Sequence, residues 1–313
     1  MKKSLLALAV LGVFAAGASA QVTLKGTVDV AIERVKTDTT SGSSTDYTLS
    51  NNRQGTSQLT ALGSEDLGGG LSAIFLYEGD FDATVSSTSG SGHRVGDNGG
   101  EVYVGLKGAF GTLRMGSPNT PTLSTQGGRQ PFGTKLGGGF GGVEGKSHVR
   151  QDKSIRYDSP ALGPVSLAFD VANDPDGNGR IYDLGAFVNA GPFSGGLTYF
   201  KQESYQKLMT LQAQVKFGMA TIYGGYHKES GDIGKNKGYN LGAKLGFGSL
   251  NLLANYGKLT DDVGSADKKI FAFGPQYLLS KRSSVYARLV QEKFDNASTE
   301  KKTTILMGMQ HNF

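Results

Sequence analysis

Apolar and polar residues alternate along almost the whole chain, and this alternation limits the possible folds more than any other feature. In the first clear run, apolar residues or glycine occupy the even positions from Val22 to Ile32, and mostly polar residues such as Asp29 occupy the odd positions. Because successive side chains of a strand point to opposite faces, this run predicts a strand with one apolar and one polar face. About sixteen segments of this kind occur, and the last ends at Phe313.

The connections between these segments alternate between short and long. Short links such as Gly191-Pro192 alternate with longer polar stretches such as 37–52 and 86–100. This arrangement is typical of an up-and-down antiparallel sheet. Helical spacing fits the chain poorly after residue 20 and no linker divides it, so residues 21–313 are interpreted as one domain.

The first 20 residues have the pattern of a secretory signal peptide. They begin with a positively charged region, continue with apolar and small residues over 5–18, and end in an A-x-A motif at Ala20. We therefore predict cleavage between Ala20 and Gln21. No later stretch reaches the roughly 20 apolar residues that a membrane-spanning helix needs.

The composition excludes several classes of protein. Only 37% of the residues are apolar, 48 of 313 are glycine and none is cysteine, so a large ordinary core and a disulfide framework are both disfavoured. The formal net charge is +5 and would be +3 without the two lysines of the signal. This mild charge, with no basic cluster among aromatic residues, argues against nucleic acid as a partner.

Two architectures accept alternating strands, a soluble β-sandwich and a transmembrane β-barrel. The polar faces carry charged residues such as Lys25, Glu33 and Arg288, which would be costly in a sandwich core but are solvated in a wide barrel. We therefore predict an all-β, antiparallel transmembrane barrel of about 16 strands with an aqueous lumen. Aromatic residues near strand ends are expected to form girdles at the membrane interfaces: Tyr157, Tyr199, Tyr256, Tyr277 and Phe313.

Several motifs resemble those of one family when they are taken together. Residues 21–313 are similar to the general porins of Gram-negative bacteria, specifically the trimeric sixteen-stranded type of beta-proteobacteria. The residues that carry the resemblance are 63–71, 102–106, 110–112, 154–160, 279–282 and 308–313.

The resemblance implies passive diffusion of small hydrophilic solutes and ions through a water-filled pore in each subunit of a homotrimer. It also implies contact with outer-membrane lipid and lipopolysaccharide, and recognition of the terminal Phe313 by the barrel assembly machinery. In this family the third long loop folds into the barrel. The longest stretch without a predicted element, 117–152, lies where that loop is expected, and Pro131, Phe132 and Gly133 resemble its core. The alternative is a disordered surface loop.

The charges expected in the lumen are mostly positive. Arg114 and Arg156 alternate with apolar neighbours and are predicted to face inward, and the resemblance makes Arg156 a pore-wall arginine. The inward loop would add further charges, namely Arg129, Lys135, Lys146 and Arg150 against Glu144 and Asp152. Positive charge at a constriction favours anions, so a weak anion preference is expected. Ordinary solvated charges without effect on ion flow are the alternative.

The chain departs from its relatives at three positions that commonly hold arginine in the family. These positions are occupied by Gln58, Gly100 and Ser117. Arg53 and Arg94 lie nearby in sequence, but the sequence alone does not place them. The expected anion preference is correspondingly weak.

Other chemistry has little support in the sequence. Residues 174–179 copy the opening of a calcium loop, but its twelfth position is Gly185, so a polar turn is favoured over a calcium site. The four histidines are isolated, which argues against zinc, and no cofactor is expected. A barrel hydrolase with a site such as His227 and Asp232 or His93 and Asp97, and an adhesin or structural surface protein, remain as alternatives to a channel.

Overall fold

The computed structural model describes residues 21–86, 95–96, 99–139, 149–173, 179–203, 205–232, 234–262, 267–295 and 298–313. These residues form one closed, antiparallel β-barrel with a short helix inside it. The strands are β1 (Gln21–Thr39), β2 (Gly42–Asn51), β3 (Gln58–Gly68), β4 (Leu71–Asp80), β5 (Val102–Gly108), β6 (Gly111–Ser117), β7 (Ser154–Asp158), β8 (Val165–Asn173), β9 (Arg180–Ala190), β10 (Phe193–Gln202), β11 (Gln206–Phe217), β12 (Ala220–Gly231), β13 (Gly234–Phe247), β14 (Leu250–Asp261), β15 (Asp267–Leu278), β16 (Ser283–Asp295) and β17 (Thr299–Asn312), and the helix is α1 (Pro121–Gly128).

The barrel wall has sixteen strands although seventeen segments are hydrogen-bonded in it. Both β2 and β3 pair with β1, β2 along residues 30–39 and β3 along residues 21–27. They are therefore two parts of one wall strand, interrupted at 52–57. Each later strand pairs with its neighbour in sequence, which confirms the predicted up-and-down topology.

The last strand closes the barrel onto the first. Val28 is opposite His311 in the pairing of β1 with β17, and Gly26 and Phe313 exchange two backbone hydrogen bonds of 3.0 Å. The Phe313 ring covers Gly26, where an added Cβ would lie 2.4 Å from the ring. No strand edge is left open at the seam, as full closure requires.

The two faces of the wall have opposite character. Large apolar side chains on the outer face are exposed, for example Leu24 at 65% and Met307 at 71%, whereas inward polar residues such as Asp29 and Thr210 are buried at 0%. This pattern is the reverse of a soluble β-sandwich and is that of a barrel surrounded by lipid. No helix in the described part of the chain is long and apolar enough to cross a membrane.

Residues 118–139 fold into the barrel and contain the helix α1. Thr120 is its N-cap and accepts a hydrogen bond of 3.1 Å from the Leu123 amide, while Pro121 stands at the first helical position. Both features start helices. The prediction of a stretch without regular structure over 117–152 is therefore wrong at 121–128, because the cap and the proline start a helix there.

Candidate functional site

The helical part of the inward loop is attached to a polar region of the wall. The carboxylate of Asp183 on β9 accepts hydrogen bonds from the Thr122 amide at 2.9 Å and from the Thr122 hydroxyl at 2.8 Å. Gln126 donates to the Thr210 hydroxyl on β11 at 3.4 Å. All four side chains are buried, so these hydrogen bonds are shielded from water. We call this group, Thr122, Gln126, Asp183 and Thr210, the polar anchor.

The second part of the loop is attached to an apolar region of the wall. Phe132 is 4% exposed and packs against one buried cluster from β14, β15 and β16. The cluster consists of Leu253, Ile270, Ala272 and Val290. We call Phe132 and this cluster the apolar anchor. Loop core residue Phe132 is therefore a packing residue that holds the loop against the wall.

Glycines on the inner face of the wall make room for the loop. A Cβ at Gly242 would lie 2.4 Å from Pro131 Cγ, and a Cβ at Gly196 would lie 2.7 Å from Thr125 Oγ1. Both distances are too short for any side chain larger than hydrogen. Gly133, which follows Phe132, has a φ of +56°, a conformation that favours glycine.

Arg288 on β16 connects the apolar anchor to the backbone of two inward segments. Its Nη1 donates to the Leu136 carbonyl at 2.6 Å and to the Arg53 carbonyl. Its guanidinium lies 4.8 Å from the Phe132 ring centroid, within the range of a cation–π contact. Arg288 therefore uses its charge to hold the loop in place.

Leu306 interrupts the polar face of the last strand because it packs under the loop. It is 1% exposed and forms a cluster with Ala31 and Tyr286, and Leu136 of the loop packs against this cluster. The exception in the alternating pattern of β17 thus marks where the loop touches the wall.

A second segment, 52–57, also folds inward at the interruption between β2 and β3. Arg53 pairs with Glu33 on β1 at 2.6 Å, and Gln54 donates to Ser284 at 2.9 Å. Lys135 of the loop donates to Thr56 at 2.6 Å, so the two inward segments touch. Together they occupy the lumen beside β1 and β16. A cavity stays open beside β3 to β6, and we call these strands with the adjacent β7 the open wall.

Arg114 and Arg156, which the sequence predicts to face inward, lie side by side on this open wall and share a carboxylate. They are register partners on β6 and β7, and both lie 2.7 Å from Asp158, which the prediction did not include. The alternation Arg156, Tyr157, Asp158 was the signal that could have found it, because residues two apart share a face. Arg156 also donates to the Asn119 carbonyl at the start of the loop.

Arg150 and Lys135 are also close to carboxylates. Arg150 lies 3.3 Å from Glu78 and 3.5 Å from Asp80, both on β4. Burial lowers the pKa of the Lys135 ammonium from its ordinary value, and the charges of Asp80 and Asp29 oppose this shift. Each of these cations therefore stands beside at least one acidic group.

Arg129 faces the wall and is 9% exposed. Its Nε donates to Ser194 at 3.0 Å, its Nη1 donates to the Ser124 carbonyl at 3.2 Å, and its guanidinium lies 5.5 Å from the Phe187 ring. Arg129 is thus built into the attachment of α1. Glu144, Lys146 and Arg94 lie outside the described residues, as does Ala20.

A polar cavity opens on the short-turn side of the two arginines. Its volume is about 810 Å³, and Arg114, Tyr103, Lys107 and Thr23 are among its lining residues. The Arg114 guanidinium lies 5.2 Å from the Tyr103 ring. Gln58, at a position where the family commonly has arginine, donates to Glu78 at 2.6 Å. The open side of the lumen is therefore aqueous and lined by charged and polar groups.

In the described ranges, no group of three or more potential metal ligands occurs. His93, Asp97 and His148 lie outside these ranges. His227 is buried, and its Nε2 lies within hydrogen-bond distance, 2.9 Å, of Asn236 Oδ1, so this contact links β12 to β13. Of the suggested calcium loop, 174–178 lie outside the described residues, and Gly185 lies within β9.

Comparisons with known proteins agree with this architecture. A family model described as Gram-negative porin matches residues 7–297. Outer membrane porin protein 32 of Delftia acidovorans is 30% identical over 360 residues and covers 100% of both chains, and an outer membrane porin protein of Bordetella pertussis is 27% identical over 399 residues with the same coverage. Among solved structures, the anion-selective porin from Comamonas acidovorans is similar with a TM-score of 0.81 and 26% identity, covering 94% of this chain and 100% of that one.

Proposed function

Since the chain belongs to the Gram-negative porin family of outer membrane proteins, we propose that it is a passive diffusion channel for small hydrophilic solutes with a weak preference for anions. The outer face is apolar, the inner face is polar, and an inward loop narrows the lumen. An aqueous path lined by fixed charges conducts ions without any conformational cycle.

The preference for anions is supported by the exposure of the charged groups along the lumen. The Arg53 side chain is 32% exposed and its partner Glu33 only 4%, and Arg150 is 23% exposed against 15% for Glu78 and 10% for Asp80. At these two sites an ion in the lumen therefore meets guanidinium groups before carboxylates, whereas the Asp158 side chain is 24% exposed beside Arg114 at 23% and Arg156 at 7%. Because each arginine has an acidic neighbour, the positive potential is small and the preference is weak.

The proposal includes a homotrimer embedded in outer-membrane lipid and lipopolysaccharide, with Gln21 as the first residue after cleavage. It also includes recognition of Phe313 by the barrel assembly machinery. The supporting observation is that Phe313 ends the closing strand with its ring on the outer face, 50% exposed. The family resemblance supports the trimer.

The test is to insert the purified protein into planar phosphatidylcholine bilayers and record single channels. We expect stable, large, ohmic steps, and a reversal potential of anion sign under a salt gradient. A reversal potential of cation sign would refute the anion preference alone. If no steps occur, the channel is refuted, and a barrel hydrolase or an adhesin becomes the better account.

A further inference from the structure

Six consecutive strands each place at least one lysine on the outer face of the barrel near the end that carries the longer connections, and β13 places a second one there, Lys235. These strands are β12 to β17, and the residues, which we call the lysine row, are Lys228, Lys237, Lys258, Lys269, Lys293 and Lys301. Their outward orientation follows from the strand alternation, because each is an even number of residues from an exposed apolar residue of its own strand, such as Tyr226, Tyr239 and Ile305.

The lysines of the row form two groups of direct neighbours across the sheet, which are separated between Lys237 and Lys258 because Lys258 is opposite Tyr239. Lys228 is the register partner of Lys237, Lys258 of Lys269, Lys269 of Lys293, and Lys293 of Lys301. Like charges placed directly opposite each other destabilise a sheet. Acidic groups lie beside two of these lysines: Asp295 is 3.2 Å from Lys269 in an exposed pair, and Asp38, which pairs with Lys36, is the register partner of Lys301. The row therefore places positive charges close together, and their repulsion destabilises the protein. An anionic partner would relieve this repulsion.

Aromatic side chains lie beneath the row on four of the six strands. Tyr226, Tyr239, Tyr256 and Phe271 are each two residues from the lysine of their own strand, on the side of the membrane belt, and are 38% to 46% exposed. Two residues of a strand correspond to about 7 Å. Tyrosine and phenylalanine at this height form the girdle at a membrane interface. The lysine row therefore lies where the phosphate groups of outer-leaflet lipids are.

The other side of the barrel is different. In the described residues of β2 to β8, no outward position carries lysine or arginine. The basic surface continues on both sides of the row, with Arg34 and Lys36 on β1 beside β17, and with Lys201 on β10 opposite Lys207 on β11 and Arg180 on β9 beyond β12. The positive charge is thus confined to one sector of the wall instead of surrounding the barrel.

We propose that the lysine row is a docking site for a glycolipid whose headgroup carries two phosphates. Neighbouring strands are about 5 Å apart, so two adjacent ammonium groups reach one phosphate, and the length of the row accommodates a second phosphate. The acyl chains of the same lipid lie against the aromatic girdle and the apolar belt below it. This inference rests on the proposed contact with lipopolysaccharide, and it names the residues and the headgroup chemistry.

The test compares lipid binding by the wild type and by a row variant, Lys228→Gln/Lys237→Gln/Lys258→Gln/Lys293→Gln. Native mass spectrometry in detergent would measure the affinity for bis-phosphorylated lipid A, monophosphoryl lipid A and phosphatidylethanolamine. We expect the row variant to lose about tenfold or more in affinity for bis-phosphorylated lipid A, because it removes four of the six ammonium groups that attract the phosphates. The corresponding four Lys→Arg changes should keep the affinity.

The matched control variant is Lys216→Gln/Lys244→Gln/Lys268→Gln/Lys302→Gln, which removes the same charge from the inner face of the wall. It should bind lipid A like the wild type. Equal affinity of the wild type and the row variant, an equal loss in the control, or no preference of the wild type for bis-phosphorylated lipid A over phosphatidylethanolamine would each overturn the proposal. Channel recordings in phosphatidylcholine separate the two proposals, since the row variant should conduct normally whether or not it binds lipid A.

Discussion

The inward loop is held at its two ends by different physical means. The polar anchor joins α1 to β9 and β11 through hydrogen bonds between buried groups, whereas the apolar anchor packs Phe132 among aliphatic side chains of β14 to β16. Buried polar groups are costly unless they are paired, and this requirement fixes the position of the helix. Apolar packing has no preferred direction but contributes more free energy for each side chain. The polar anchor therefore determines the position of the loop, and the apolar anchor contributes most of its attachment.

The largest effect is expected at the apolar anchor. Phe132→Ala should cost about 3–5 kcal/mol of attachment free energy, because it removes a buried ring and leaves a cavity. The released loop should raise the single-channel conductance and its noise. Phe273→Ala is the matched control, since Phe273 lies on β15 with its side chain on the outer face, 42% exposed. If the two variants conduct alike, Phe132 does not hold the loop.

A smaller effect is expected where the wall makes room for the loop between the two anchors. Gly242→Val should force Pro131 away and cost about 1–3 kcal/mol through overpacking. The measurement is the temperature at which conductance becomes irregular, together with the heat stability of the barrel on a detergent gel. Gly224→Val on the neighbouring strand is the control, because nothing lies within 4 Å of a Cβ at Gly224. If Gly242→Val changes neither the conductance nor the heat stability, the loop does not press against this part of the wall.

The attachment at the polar anchor should weaken when a single hydroxyl group is replaced by a methyl group. Thr122→Val keeps the shape of the side chain but leaves Asp183 without one of its two donors, at a cost of about 1–3 kcal/mol. We expect fluctuating conductance from movement of α1 while Phe132 stays in place. Thr122→Ser keeps the hydroxyl and should restore steady conductance. If the valine and serine variants have equally steady conductance, the hydrogen bond from the Thr122 hydroxyl does not hold α1 in place.

The smallest effect on stability is expected on the open wall, away from both anchors. Arg114→Gln removes a charge that pairs with Asp158, and the side chain is 23% exposed, so stability should change by about 0.5 kcal/mol or less. The reversal potential under a salt gradient should shift toward cations, because Asp158 then keeps only Arg156 as a partner. An unchanged reversal potential would mean that Arg114 does not act on passing ions.

Most of the wall could be predicted from the sequence, because the alternation of side chains is a local signal. The outward positions of Val28 and Met307 follow from it directly. Leu306 violated the alternation, and the structure explains it by contact with the loop. Local irregularities of this kind therefore carry information about long-range packing.

The inside of the barrel was less predictable, since it depends on contacts between residues far apart in sequence. The faces of Arg114 and Arg156 were expected, but the role of Arg129 as a packing group at the wall and the inward segment 52–57 were not. Inward glycines such as Gly196 and Gly242 were an available signal, because a strand loses stability at glycine unless another group approaches closely. The Thr120 cap before Pro121 was a second signal, for α1.

We infer that the inward loop narrows the channel. The most direct test is to measure the width of the passage with both anchors intact and with both anchors disrupted. Neutral polyethylene glycols of increasing size would be added to bilayers holding the wild type or the Phe132→Ala/Thr122→Val variant, and conductance would show which polymers enter. We predict that the variant conducts more and admits larger polymers than the wild type. The same conductance and the same polymer cut-off in both proteins would contradict the account.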